Sequence, residues 1–326
     1  MPPVLEIIVP HYKEPWDVGE KLFQTIGVQR GIDYSSFRVT IVNDGGNRLP
    51  CGCLSDFPYN VRQIDIPHGG VSAARNYGID NTDAEWLMFC DFDDVFANVY
   101  ALRDVMTVLP ADGYDMLWSK ILIEDFTNGK SLICVSPESQ RFVFTHAKVY
   151  RTAFLRETGI RFDETMNFQE DSLFNAVIIA KTPYTRIGEI RTQAPLYIWV
   201  RRDSSVTNSG REDEAILGHF RRNLMVTEEN RLNRAYDNYC GMVTRTVYDT
   251  YFMIRGNRAS PQLKRKILDV FIPWITERIN EFANIDDKTL EEIRNISALE
   301  LWDEPTPKEH EDVAQWLNFT LKRGVK

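Results

Sequence analysis

The sequence predicts an α/β fold, with a mostly parallel central sheet carrying added antiparallel strands, followed by an α-helical C-terminal region. Three observations predict it. Short apolar runs alternate with helical patterns over the first 100 residues, as in largely parallel α/β sheets. Hairpin chemistry appears in the middle of the chain. From about residue 211 the periodicity is helical to the end.

The elements follow in order. Leu5 to Pro10 reads as a buried strand, and Trp16 to Gln29 as a helix with Val18, Leu22 and Ile26 at spacing four. Phe37 to Val42 is a second strand, ended by Asn43-Asp44-Gly45-Gly46, and Val61 to Ile66 is a third. Val71 to Ile79 is helical, and Trp86 to Cys90 is a strand running into Asp91-Phe92-Asp93-Asp94. Met116 to Ile123 and Leu132 to Val135 flank the hairpin turn Thr127-Asn-Gly-Lys130. Arg141 to Phe144 and Leu196 to Val200 are further strand candidates, expected at one edge of the parallel sheet. Short helices are expected over Arg151 to Thr158 and Asp171 to Ala180. In the tail, Leu263, Ile267, Val270, Phe271, Trp274, Ile275 and Ile279 trace one apolar face, and Tyr236, Tyr239, Val243, Val247, Tyr251 and Ile254 another. A boundary is expected near residue 210, giving an α/β domain over 1–210 and a helical domain over 211–326.

Composition narrows the function. The 326 residues carry 38 basic and 47 acidic side chains, a net charge of −9, with 43% hydrophobic residues. That is globular composition, and the acidic balance disfavours nucleic acid as a partner. No basic leader precedes an apolar run and no stretch is long enough to span a bilayer. The five cysteines show no paired zinc-ligand spacing and are expected as reduced thiols. These features point to a cytoplasmic protein. The charge is uneven, however: residues 201–266 hold 13 basic and 8 acidic side chains. A polyanionic partner therefore stays open.

Four motifs stand at the carboxyl ends of successive strands, where open α/β sheets bind ligands. Asp91-x-Asp93 could hold a hard cation while leaving room for phosphate oxygens. Asp44 could accept hydrogen bonds from a ligand, with glycines letting the backbone come close. Gly69-Gly70-Val-Ser-Ala-Ala-Arg75-Asn-Tyr-Gly78 opens a helix of small residues, with Arg75 one turn in as a phosphate partner. Pro10-His11-Tyr12-Lys13-Glu14 offers an aromatic ring for a base or sugar and a carboxylate for hydroxyls.

Together these motifs resemble the family 2 glycosyltransferases of the nucleotide-sugar-binding GT-A fold, over about residues 4–205. That family typically shows Pro-x-Tyr-Asn-Glu, Asp-Asp-Gly-Ser, Gly-x-Ser-x-Ala-Arg-Asn-x-Gly and Asp-x-Asp-Asp. The last two are present in full. The first departs at Lys13 and the second at Asn43 and Gly46, while Asp44, which usually reads uracil, is retained. The resemblance implies a UDP-sugar donor contacted by Pro10, His11, Tyr12, Glu14, Asp44, Gly70, Arg75, Asp91, Phe92 and Asp93. Arg201, Arg202 or Ser205 would assist at the phosphates.

It further implies a divalent metal, Mn2+ or Mg2+, on Asp93 and Asp91. A later Glu-Asp pair follows Lys148-Val-Tyr-Arg151 and Arg161-Phe-Asp163 in the family's order. By analogy Asp171 is the general base, and the transfer inverts the anomeric centre. Glu170, Trp118 and His146 are the acceptor-side candidates, with a core role open for Trp118 and His146.

The function so implied is hexosyl or N-acetylhexosaminyl transfer from a UDP-sugar to a hydroxyl. The acceptor would be a cell-envelope or capsule saccharide, a glycolipid or a related polyanion. A nucleotidyltransferase is disfavoured because Val9 to Trp16 contains no glycine. A non-catalytic nucleotide-sugar-binding or scaffold protein on a degenerate fold remains the alternative. For the tail, bracing, homo-oligomerisation and contact with an acceptor or the inner membrane face all stay open.

Overall fold

The computed structural model describes residues 2–109, 113–127, 130–137, 141–201, 211–233, 236–283 and 310–324. The chain divides into two compact units, Met1–Ser209 and Gly210–Lys326.

The first unit is built on a seven-stranded sheet. Its strands are β1 (Leu5–His11), β2 (Phe37–Asp44), β3 (Asn60–Ile66), β4 (Trp86–Phe89), β6 (Met116–Trp118), β9 (Lys148–Arg151) and β10 (Ile187–Glu189), in the order β10-β6-β9-β4-β1-β2-β3. β1 pairs in parallel with β2 and β4, placing Leu5 opposite both Phe37 and Trp86. These strands read as continuous apolar runs because both sheet faces are covered. Ile7 and Val9 join the core on one face, with Leu22, Phe23 and Ile26 of α1 (Trp16–Gly27). Ile8 joins the other, with Ala74 and Ile79 of α2 (Val71–Asn81). A Cβ on Gly78 would lie 2.7 Å from Ile8, so glycine lets α2 sit close on the strand.

Expectations about the middle of the chain are corrected. Antiparallel pairing is not confined to an edge of the sheet: β9, not expected as a strand, runs antiparallel between β4 and β6, inside the sheet. The expected strand over Met116 to Ile123 is two strands in two sheets. β6 ends at Trp118, the Ser119 N–H donates to the Ala147 carbonyl at 3.0 Å, and the chain then enters β7 (Ile121–Thr127). β7 belongs to a four-stranded sheet with β5 (Val95–Phe96), β8 (Lys130–Val135) and β11 (Tyr197–Arg201), in the order β5-β11-β7-β8. β7 and β8 pair antiparallel with Thr127 opposite Lys130; the turn residues between them lie outside the described residues. Arg141 to Phe144 is not a strand: residues 141–143 form a turn and Phe144 lies outside any regular element. Helices α3 (Ala101–Val108), α4 (Thr152–Glu157) and α5 (Glu170–Lys181) complete this unit.

The second unit comprises α6 (Glu212–Leu232), α7 (Tyr236–Arg255), α8 (Pro261–Thr276), α9 (Ile279–Ala283) and α10 (His310–Gly324). Ser260 caps α8 by accepting from the Leu263 N–H, and Pro261 occupies the first turn, where its missing N–H costs nothing. Phe220, Val243, Val247, Tyr248, Ile267, Phe271, Ile275, Val313 and Leu317 form its core. Val270, expected on the buried face of α8, is exposed. Among the described residues, no helix is long and apolar enough to cross a membrane, and Cys53, Cys90, Cys134 and Cys240 are free thiols.

Candidate active site

The site forms where β1, β2 and β4 end. Asp44, at the end of β2, is buried and fastens the loop entering α2. Its carboxylate accepts from Gly69 N (2.7 Å) and Gly70 N (2.8 Å) and lies 2.8 Å from His68 Nδ1. Gly70 has φ +90°, a conformation that favours glycine. Tyr12 stacks on His68 with ring centroids 4.3 Å apart. Glu14 turns back on its own loop, its Oε2 accepting from Tyr12 N and Lys13 N. Pro10 is held in the β1 register opposite Val42.

The two departures at the end of β2 belong together. Asn43 Nδ2 donates to the Gly46 carbonyl (2.8 Å) and to Asp65 Oδ1 (2.9 Å), while Asn43 Oδ1 lies 3.2 Å from His11 Nδ1. A Cβ on residue 46 would fall 1.2 Å from the Tyr12 carbonyl oxygen. Gly46→Ala is therefore expected to force the two loops apart and cost roughly 1–3 kcal/mol. The thermal midpoint checks this, and a wild-type midpoint would contradict it.

A charged chain crosses the site from β4 to α5. Arg75 is buried; its Nη2 donates to Asp91 Oδ1 (2.9 Å) and its Nη1 to Glu170 Oε1 (3.0 Å). Burial works against the guanidinium charge, but Asp91, Glu170 and Asp171 outweigh it and raise the Arg75 pKa. Burial likewise opposes ionisation of Asp91, yet Arg75 and a hydrogen bond from His146 hold it well below the usual carboxylate range. His146 Nε2 lies 3.1 Å from Asp91 Oδ2 and 3.3 Å from Asp94 Oδ2. Its ring is stacked near Tyr197 and Trp199 of β11. Although desolvation disfavours its cation, Asp91 and Asp94 raise the His146 pKa. Burial, with Asp91 and Asp93 nearby, pushes Asp94 well up.

At the other end, burial pushes Glu170 up to about 7, reinforced by Asp171. Burial also raises Asp171, against the pull of Arg75 and His146. Two strained residues bracket this arrangement: Gln169, before α5, has φ +66°, and Ala147, after His146, has φ +51°. Non-glycine residues reach this region at a cost and cluster at functional sites.

The structure thus joins Arg75, Asp91, His146, Glu170 and Asp171, which the sequence singled out separately. It assigns other work to several candidates. Phe92 is core, packed on His11, Phe23 and Gly19. The Arg75 guanidinium is taken by carboxylates and not left facing a phosphate. Arg201 pairs with Asp125 at 3.2 Å, and Arg202 and Ser205 lie outside the described residues. Trp118 is largely buried, with its ring edge-on to Phe142.

Sequence reasoning missed Lys148 and Tyr197. Buried Lys148 donates through Nζ to the Phe144 carbonyl, and burial brings its pKa down to about 7, against the pull of Asp171. The Tyr197 hydroxyl accepts from Asp91 N at 3.1 Å. In the sequence Lys148 stood only as part of the Lys148-Val-Tyr-Arg151 run, with no role of its own.

A divalent cation fits this chemistry. Among the described residues, Asp91, Asp94 and His146 present ligand atoms within 4.8 Å of one another. Asp94 Oδ2 is buried and accepts no hydrogen bond. Asp93, expected beside Asp91 as a ligand, is outside this cluster.

A mostly parallel sheet with carboxylates at its strand ends and a paired Glu-Asp at a facing helix start defines a nucleotide-sugar transferase fold of the GT-A type. Residues 6–155, somewhat under half of the chain, match the family Glycosyl transferase family 2. The chain is 25% identical over 183 residues to poly(ribitol-phosphate) beta-N-acetylglucosaminyltransferase TarS of Staphylococcus aureus, covering 52% of this chain and 31% of TarS. It is 26% identical over 214 residues to the minor teichoic acid biosynthesis protein GgaA of Bacillus subtilis, covering 57% and 46%. The matches thus span about a third to a half of these relatives. In structure, S. aureus TarS 1–349 in complex with UDP-GlcNAc superposes with a TM-score of 0.66 at 17% identity, over 98% of this chain and 92% of that one. A mannosyltransferase from Pyrobaculum calidifontis, in complex with GDP-Man and Mn2+, gives 0.51 at 12% identity, over 98% and 84%.

Proposed function

We propose that the chain is an inverting, metal-dependent glycosyltransferase. It moves a sugar, N-acetylglucosamine first among candidates, from a UDP-sugar to a hydroxyl of a cell-envelope polymer of the polyol-phosphate kind. One observation carries this: the continuous link Asp91–Arg75–Glu170, with Asp171 adjacent, couples the strand-end carboxylates to the Glu-Asp pair. The relatives' names support the donor and acceptor classes.

Asp91, Asp94 and His146 would hold the cation, which would supply positive charge against a nucleoside diphosphate leaving group. Asp171 accepts the acceptor's proton late in the transfer, as oxocarbenium character develops at the anomeric carbon. Arg75 orients Asp91 and Glu170 and keeps both in one electrostatic unit.

UDP release from a UDP-sugar panel tests the assignment. Chelation is expected to abolish turnover and added Mn2+ to restore it; equal turnover in a chelator would remove the metal from the account. The rate should also fall as pH drops through the Asp171 pKa, because the protonated acid cannot accept a proton. With burial raising that pKa, the acid limb of kcat/KM is expected above the ordinary carboxylate value of about 4. A profile flat down to pH 4 would contradict this. For residues 211–326 we propose oligomerisation, acceptor or membrane-surface contact, or bracing; light scattering of the full chain separates the first from the others.

A further inference from the structure

A pocket opens beside His146 in the first unit. It is lined from β6 by Trp118, from the link to β7 by Ser119 and Lys120, and from the turn before β9 by Arg141. Lys148 and Ser136 also face it. Among the described residues, its lining carries Lys120, Arg141, His146 and Lys148 and no carboxylate. This is unexpected in the more acidic part of the chain. Ser119 is 5% exposed, and its Oγ is buried without a hydrogen-bond partner. The Arg141 guanidinium lies over the rings of Trp118 (5.7 Å) and Phe142 (4.9 Å), which fixes its plane.

We infer that this pocket is an anion subsite that takes a phosphate group of the acceptor, one unit from the hydroxyl that reacts. The inference rests on the transferase proposal for the word acceptor; the preference for phosphate rests on the pocket alone. A planar guanidinium, an ammonium and a free hydroxyl match the oxygens of a phosphodiester. The Trp118 indole supplies an apolar wall for the carbon chain of a polyol. Because His146 both lines the pocket and contacts Asp91, a phosphate held there places the neighbouring polyol unit against the charged chain of the site.

The test uses the full chain, its Lys120→Gln and Arg141→Gln variants, and the rescue variant Lys120→Arg. Two readouts are compared: transfer to a phosphodiester-linked polyol polymer, and UDP release without acceptor. Each Gln variant is expected to raise the acceptor KM about tenfold, Lys120→Arg to recover most of it, and acceptor-free UDP release to stay within about twofold. Titration with ribitol 5-phosphate and with ribitol completes the test: the phosphate compound should bind wild type and lose affinity in both Gln variants. Unchanged acceptor KM in both variants, equal binding of ribitol and ribitol 5-phosphate, or preference for a carboxylated saccharide would overturn the inference. If wild type turns over no donor, the transferase proposal falls, and the ribitol 5-phosphate titration still decides the pocket.

Discussion

Asp171→Asn is expected to lower kcat for sugar transfer by about 10^2- to 10^4-fold, the usual worth of a positioned general base. The amide keeps the shape and the hydrogen bond from Ser172 N, which Asp171 Oδ1 accepts at 2.7 Å, but cannot take a proton. UDP affinity should stay close to wild type, since Asp171 belongs to α5 and not to the loops that hold Asp44 and Tyr12. Single-turnover kinetics with a UDP titration check both halves. A variant with wild-type kcat would remove Asp171 from the chemistry. One with normal kcat but weak UDP binding would place it with the donor instead.

Arg75→Met is expected to be the most damaging single change to stability in the first unit. The guanidinium is enclosed and serves two carboxylates from different elements, so its loss strands Asp91 and Glu170 together. Removing one partner of a buried charge network costs about 3–5 kcal/mol. The deficit should depend on pH. In the wild type, Asp91 is held below its unfolded pKa of about 3.9, so its ionisation adds stability at neutral pH that is lost as pH falls. Without Arg75, burial opposes that ionisation, so the deficit should be largest near neutrality and shrink toward pH 4 without closing, because wild-type Asp91 is still ionised there. Denaturant midpoints across that range check it; a pH-independent deficit would mean that packing, not charge, is what Arg75 supplies. Activity should fall with stability, because Arg75 also fixes Glu170 beside Asp171.

The parts of this design legible in the sequence are those encoded locally. β1, β2 and β4 are apolar runs because both faces are buried, and each ends in polar residues where the sheet stops: His11, Asn43-Asp44 and Asp91 to Asp94. The Glu170-Asp171 helix start is equally local. What stayed hidden is long-range. Residues 116–118 and 121–123 are both apolar, so nothing in their pattern shows that the chain changes sheets at Ser119-Lys120. The four residues of β9 give no sign that they lie antiparallel inside a parallel sheet. Arg75 reads as a phosphate ligand until its partner 95 residues away is seen to take one arm of the guanidinium. Lys148 reads only as the first residue of the Lys148-Val-Tyr-Arg151 run, and the fold is what buries it beside Phe144, where it feels the charge of Asp171. Phe92, inside an acidic motif, reads as part of the site, but Gly19 leaves the space its ring fills in the core.

The measurement that bears most directly on the central claim is UDP release by the full chain with Mn2+, from UDP-N-acetylglucosamine and other UDP-sugars, with and without a polyol-phosphate acceptor. The account predicts release that rises with acceptor and a product whose new linkage has the anomeric configuration opposite to the donor's. Tight UDP-sugar binding with no release on any acceptor would contradict it and make the chain a nucleotide-sugar-binding protein on a transferase fold.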